Sequence, residues 1–419
     1  MLPTQPNCTD IYESGLLPVD QALDKILTAI PTINDFQIIN IETAKGRTLS
    51  QSINAAFNVP QFNNSAVDGY GLNSQDLPAE GLTSLQIIDA AFAGKPSSQT
   101  ISPGQCIRIM TGAIIPAGVD TVIMQEHVQL NNNSISIDYR HQAGQNIRLA
   151  GEDIQKDETI LQTGHFLTPA DIGLIASLGI GEIKVRRKLR VAIASTGNEV
   201  ISIGNSHKGS NLYDSNRYSL CAALDRPDIE IINLGILEDT PTALLHSFTL
   251  ASQSADMIIS SGGVSVGDAD HTKTALQQSG QVDFWKIAIK PGRPLAFGSL
   301  GKSVFFGLPG NPVAVMVTFY QFVLPAIEAM LGIKNKAIQP TMQVMSSENI
   351  RKKQGRTEIV RGIISQNTDG TWSVKSTGKQ GSGILRSMSL ANAFIILEHD
   401  RSSVKSGELV TVQPFSGLF

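Results

Sequence analysis

Cysteine is nearly absent from this 419-residue chain. Cys8, Cys106 and Cys221 are scattered and make no CxxC pair. That excludes a disulfide framework and a structural zinc site of the paired-cysteine kind, and it fits a reducing compartment. Positive charge is not in excess either. The net charge is -4, which argues against a basic face for nucleic acid. The opening residues MLPTQPNCTDIYESG hold no basic n-region and no apolar h-region, so no signal peptide is read and the expected location is cytoplasmic, off the membrane. The stretch 307–327 lacks charge and is long enough to span a bilayer. Pro309, Pro312, Pro325, Asn311, Thr318 and Gln321 interrupt it, so it predicts a buried core helix. Internal repeats and low-complexity tracts are missing. No GxGxxG follows the first βα strand, which speaks against a dehydrogenase.

What is present is an ordinary globular composition, 41% hydrophobic and 17% charged. PVDQALDKILTAI places Val19, Leu23, Ile26, Leu27 and Ile30 at helical spacing. Thr168-Pro169 reads as a cap and first-turn proline of a second helix that stops at Gly179. Between these helices lies a β-rich insert with runs such as TSLQIID, CIRIM and DTVIMQE. From Lys188 the pattern changes to short, continuous apolar runs, VAIAS, DIEIINLG and ADMIIS, each followed by a loop and a helix-like segment. That predicts βαβ units around a parallel sheet buried on both faces. Asn311-Pro312 reads as another helix start, running towards Met330. Beyond about Ala337 the chain reads as all-β: TEIVRGII, a turn at NTDG, TWSVKS, AFIILE and ELVTVQPF.

Ligands of open parallel sheets bind where strands end at their carboxyl side. Three loops qualify: ASTGNEV with Ser195, Thr196, Gly197 and Glu199; SSGGVSVGDAD with Ser261, Gly262, Gly263, Ser265 and Gly267; and GLPGNP with Gly310 and Asn311 leading into a helix. Glycine-rich nests and helix starts present N–H groups to anions. The second loop has no P-loop lysine but carries Asp268 and Asp270. Carboxylates beside phosphate are reconciled by Mg²⁺, which takes one or two carboxylates plus phosphate oxygens. Glu199, Asp239, Asp268 and Asp270 each follow an apolar strand and are the candidate metal ligands. Any one of them also reads as a helix cap or turn residue. In WKIAIKPGRP a single strand would put Lys286 and Lys290 on one face, with Arg293 on a proline-stiffened turn. That is a rigid cationic pocket suited to a compact oxyanion. Asp68 in NNSAVDGYG and Thr111 in RIMTGAIIPAG read, alone, as ordinary turn residues.

Taken together, NNSAVDGY, RIMTGAIIPAGVDTVIMQE, NIRLAGEDI, ASTGNEV, NLYDSNRY, SGGVSVGDADHTK, WKIAIKPGRPLAFG, FGLPGNPVA and QGSGILRSMSLANAFIIL resemble the MoeA family, related to the E domain of gephyrin. The resemblance runs over nearly the whole chain. It implies a multidomain α/β plus β fold: an elongated linker and dimerisation domain from 12–45 and 151–187, an inserted β-rich domain at 46–150, a MogA-like three-layer α/β pterin domain at 188–336, and a C-terminal β-barrel at 337–419. It implies an elongated homodimer whose cleft lies between the α/β domain of one copy and the inserted domain of the other. The implied reaction is molybdenum insertion: adenylylated molybdopterin and molybdate are substrates, Mg²⁺ assists hydrolysis of the pyrophosphate link, and AMP and molybdenum cofactor leave. Carried over by residue, Asp68, Thr111, Asp153, Glu199, Asp239, Asp270 and Lys286 are the implied catalytic positions. Lys290, Arg293, Ser382 and Arg356 are the implied phosphate or oxyanion contacts. A MogA-like adenylyltransferase and molybdoenzyme maturation factors are the implied partners. The chain departs from the family pattern at Asn198, His271, Arg293 and Ala314, where Asp, Tyr, Lys and Ser are common.

Two other readings compete. A pterin-binding scaffold or carrier without catalysis would be expected to carry a long linker or fused partner domain, and this sequence has neither. A MogA-type adenylyltransferase would lack the insert and the barrel.

Overall fold

The computed structural model describes residues 15–207, 209–262, 280–335 and 340–415. The chain starts with the helix Val19–Ala29, which buries Ala22 and Ile26. It then pairs Phe36–Asn40 with the distant strand Glu182–Arg186, antiparallel. The helix Pro169–Ser177 packs beside this ladder. Its start is fixed by a capping box: Thr168 Oγ1 accepts from the Asp171 amide while Asp171 accepts from the Thr168 amide. Ala44, Leu49, Leu161, Leu167, Ile175 and Val185 close a small core there, built from segments on both sides of the insert.

The insert is a six-stranded sheet in the order Thr121–Met124, Gly69–Leu72, Gln105–Ile109, Leu82–Ala91, Ser134–Asp138, Gln129–Asn131. Gly69 is required here by close approach: a Cβ would sit 1.9 Å from the Ile123 carbonyl oxygen.

The α/β sheet runs Ile229–Leu237, Leu189–Thr196, Met257–Ser261, Ser303–Leu308, Pro294–Leu300, Gly280–Lys286. The first four strands are mutually parallel. Pro294–Leu300 is antiparallel to both its neighbours, so the sheet is mixed rather than wholly parallel. Alternation in the central strand loads both faces. Val191 and Ile193 join one core with Leu220, Val313 and Phe319, while Ala192 and Ala194 join the other with Leu244 and Phe248.

The apolar stretch is a core helix. Pro312–Met330 is long and apolar enough to cross a membrane, yet 61% of its most apolar window is buried inside the protein. It is α-helical over Pro312–Thr318, widens to a π turn over Phe319–Val323, and resumes over Leu324–Met330. Pro325 accounts for the widening, since its ring would collide with the carbonyl one turn back in a regular helix.

The C-terminal region closes on itself. Thr357–Gln366 pairs with Trp372–Ser376, which pairs with Met342–Ser346, then Leu409–Pro414, then Ala393–Leu397, which returns to Thr357–Gln366. This five-stranded barrel is filled by Val344, Val360, Val374, Ile395, Leu397, Val410 and Val412. A short parallel pairing of Ile289–Lys290 with Thr357 and Glu358 ties the barrel to the α/β domain.

Candidate ligand cleft

That pairing creates a cleft of about 1530 Å³ between the carboxyl ends of the parallel strands and the barrel. On the α/β wall, Ser195, Thr196 and Gly197 end the central strand and Glu199 follows them. Asp239 follows Ile229–Leu237, Ser261 and Gly262 end Met257–Ser261, and Gly310 and Asn311 follow Ser303–Leu308. Gly262 has φ 89°, and a Cβ there would lie 2.6 Å from the Thr196 carbonyl oxygen, so two loop backbones touch. Asn216 braces the same wall: its Nδ2 donates to Ser261 Oγ and to the Gly310 carbonyl, both at 2.8 Å. Behind it, Ser195 Oγ donates to Asp214 Oδ1 at 2.9 Å, and Asp214 is paired with Arg217 Nε at 2.8 Å, both residues buried.

The opposite wall is cationic. Arg351, Lys352, Lys353 and Arg356 line it from the barrel, Lys290 and Arg293 from the segment that joins the barrel to the strand Pro294–Leu300, with Ser382 on the QGSG loop. Lys352 is buried, and its Nζ donates to the carbonyls of Arg401 (2.7 Å), Lys353 (3.2 Å) and His399 (3.4 Å). Burial lowers its pKa, with Glu358 opposing the shift. Arg361 is 1% exposed beneath the QGSG loop and donates to Ser387 Oγ and the Gly381 carbonyl. Burial pushes its pKa down to about 10.

The cleft therefore collects Ser195, Thr196, Gly197, Glu199, Asp239, Ser261, Gly262, Lys290, Arg293, Gly310, Asn311, Arg356 and Ser382 from the positions singled out in the sequence. Gly263, Ser265, Gly267, Asp268 and Asp270 lie outside the described residues. Asp68 and Thr111 meet each other instead, in the insert. Thr111 donates its amide and its hydroxyl to Asp68 Oδ1, both at 2.7 Å, and these bonds lower the Asp68 pKa. Asp153 is exposed on the neighbouring turn, with its amide donating to the Val59 carbonyl.

Two expectations need correction. Lys286 and Lys290 do not share a strand face. The first strand ends at Lys286, Ile287 bridges Leu17, and Ile289–Lys290 joins the barrel. Lys286 consequently lines a separate hollow with Lys25 and Trp285. Asn311 stands at the N-cap position but makes no side-chain cap bond. The Val313 amide in that first turn is taken by the Ser382 carbonyl at 3.0 Å, so the helix start holds the QGSG loop.

Sequence reasoning missed Asn216, Asp214, Glu358, Arg351, Lys352 and Lys353, all in the cleft. The IRKKQGR run was a visible signal. Extended chain alternates its side chains, which buries Lys352 and exposes Arg351 and Lys353.

An α/β domain whose strand ends face a cation-lined barrel is the architecture of a binding protein or enzyme for a multiply anionic ligand. Comparison with known proteins gives the family. Residues 17–179 match the MoeA N-terminal region (domain I and II), 192–329 a probable molybdopterin binding domain, and 343–415 the MoeA C-terminal region (domain IV). The molybdopterin molybdenumtransferase of Haemophilus influenzae is 42% identical over 96% of this chain and 100% of its own. That of Nostoc sp. is 34% identical over 92% and 91%. A solved moeA protein of Pyrococcus horikoshii OT3 superposes with TM-score 0.84 at 29% identity, covering 96% of this chain and 100% of its own. The chain belongs to the MoeA family.

Proposed function

We propose that this MoeA-family protein inserts molybdenum into adenylylated molybdopterin and hydrolyses the pyrophosphate link with Mg²⁺, releasing AMP and molybdenum cofactor. The observation that carries the reading is the division of the cleft. Glycine loops and carboxylates form one wall, and six cationic side chains line the other. The first suits a metal-bridged diphosphate, the second an oxyanion such as molybdate.

The donor set fits Mg²⁺ held jointly with the substrate. Among the described residues no three His, Cys, Asp or Glu converge as a protein-only cage. Glu199 and Asp239 both line the cleft, and Asp239 Oδ1 is buried with no hydrogen-bond partner among the described residues. One or two carboxylates beside phosphate oxygens are what this ion takes. Bound there, it would neutralise and polarise the diphosphate for attack by water. The chain's own residues do the rest. Ser261 and Gly262 bring backbone and hydroxyl to the ligand from a loop fixed by Asn216. Lys290, Arg293 and Arg356 hold the oxyanion opposite.

Asp68, Thr111 and Asp153 do not line this chain's cleft. We place them as contributions to the cleft of a second copy, in a homodimer. A MogA-like adenylyltransferase is the expected supplier of the adenylylated substrate.

The deciding experiment measures AMP release from adenylylated molybdopterin with Mg²⁺, with and without molybdate. Molybdate-dependent release with active cofactor is the expected result. Tight pterin binding without release would instead indicate a carrier that keeps the pocket and lacks the chemistry.

A further inference from the structure

The barrel wall of the cleft is cationic with one exception. Among the described residues four acids line the cleft: Glu199, Asp214 and Asp239 belong to the α/β wall, and Glu358 stands among the cations opposite. Its place is set by backbone register. Lys290 and Glu358 are direct partners in the parallel pairing that joins the two domains. Glu358 Oε1 accepts from Lys290 Nζ at 3.2 Å. The two side chains differ in setting: Lys290 is 54% exposed and Glu358 only 13%. The carboxylate is embedded in the wall, and the ammonium reaches from it into the cleft. Arg351, Lys353 and Arg356 come from the loop just before Glu358, and buried Lys352 feels its charge.

We infer that Glu358 is a resident counter-anion, which an incoming oxyanion must displace from Lys290, and that it thereby sets the affinity and selectivity of the cleft for tetrahedral dianions. The inference rests on the proposed oxyanion-binding role of these cations. The ammonium end of this pair is half exposed, so a competing anion can reach it from the cleft. A dianion taking the Lys290 ammonium comes within a few ångströms of a fixed negative charge, and the repulsion opposes binding. A neutral amide at 358 would lack that charge and could donate a hydrogen bond to the oxyanion. The wall would then hold dianions more tightly and discriminate among them less. Glu358 keeps the cationic strip from being filled by abundant inorganic anions before the organic substrate arrives.

The test is calorimetric titration of sodium molybdate, then sodium sulfate, into the full-length protein, its E358Q variant, K290Q and the double variant. E358Q should tighten molybdate binding by about tenfold and sulfate at least as much, an effect of the size that removing one nearby partly screened charge produces. K290Q should weaken binding. In the K290Q background the gain from E358Q should shrink, because the carboxylate acts through the ammonium it holds. E358A serves as a second variant if E358Q does not fold, and should also tighten binding. Weaker binding in E358Q would overturn the inference, since Glu358 would then be positioning Lys290 for the ligand. Unchanged binding would overturn it as well. If neither wild type nor E358Q binds molybdate, the oxyanion reading of the cleft falls, and this role with it. If wild type binds and E358Q binds no better, the cleft reading stands and only this inference fails.

Discussion

The two walls of the cleft solve opposite electrostatic problems. The α/β wall presents carboxylates and glycine backbone, and its buried charge is neutralised internally: Asp214 is paired with Arg217. The barrel wall presents cations, and its two buried ones, Lys352 and Arg361, are satisfied by main-chain carbonyls and a serine hydroxyl. Carbonyls satisfy the donors and leave the positive charge in place. On the proposed reading, one wall shares a cation with a ligand and the other meets a ligand's negative charge directly. The barrel thus lines half of the cleft as well as capping the fold.

The sharpest way to break this contrast is to neutralise the acid wall. Asp239→Asn should lower Mg²⁺-dependent AMP release by about 10²–10³-fold, the range seen when one electrostatic contact at a reacting group is removed. Thermal stability should hold, because Asp239 Oδ1 has no hydrogen-bond partner to lose among the described residues. Turnover within threefold of wild type would make Asp239 a turn residue.

The internal neutralisation of that wall is tested by Asp214→Asn. It leaves the buried Arg217 guanidinium without its counter-charge, a change that destabilises by about 3–5 kcal/mol. Urea unfolding should show the loss with an unchanged slope. Ser195 and Arg217 both bond Asp214, so a small effect would mean the pair is solvated in solution.

How legible each wall was follows from the kind of chain that builds it. The α/β wall could be read because strands buried on both faces, such as 191–195 and 257–261, are continuous apolar runs, and their ligand loops follow directly. The barrel wall was harder. Of the cations in IRKKQGR only Arg356 was singled out; Arg351, Lys352 and Lys353 lie in irregular chain before the strand Thr357–Gln366, where no strand end or glycine loop points to a ligand. Lys286 and Lys290 misled for a related reason: four-residue spacing implies one face only while one strand continues, and this chain changes sheets at Ile287 and Ala288. Asn216 was missed because an amide between a short strand and a helix looks like a turn residue. Its role depends on Ser261 and Gly310, 45 and 94 residues away.

A smaller effect sharpens the cationic side. Lys352→Met removes the donor for three carbonyls and should destabilise by about 1–3 kcal/mol. The pH dependence carries a sign. Burial lowers the folded-state pKa of Lys352 below its ordinary value of 10.5, so the unfolded chain binds the proton more tightly. This group's burden on stability is therefore full at neutral pH and lifts as pH rises through the folded pKa towards 10.5. Wild type should gain relative stability over that alkaline window, and the methionine variant should lose that component. Parallel stability–pH curves for the two proteins would show that Lys352 is solvated as an ordinary lysine.

The smallest expected effect lies where the walls meet. Ala314 is buried in the first turn of the Pro312–Thr318 helix and lines the cleft; it is one of the positions at which the sequence departs from the pattern that the resemblance implies, here serine. Its carbonyl already accepts from Thr318 Oγ1 at 2.8 Å. Ala314→Ser adds one hydroxyl facing either the cleft or its own helix backbone. If the barrel cations dominate oxyanion binding, a single neutral donor should tighten molybdate by no more than about threefold, within the net worth of one hydrogen bond. Stability should shift by about 0.5 kcal/mol, the helix-propensity difference between the two residues. A gain of tenfold or more in molybdate affinity would mean that the helix start, and not the barrel, supplies the decisive contact. The division between the two walls would then have to be redrawn at Ala314.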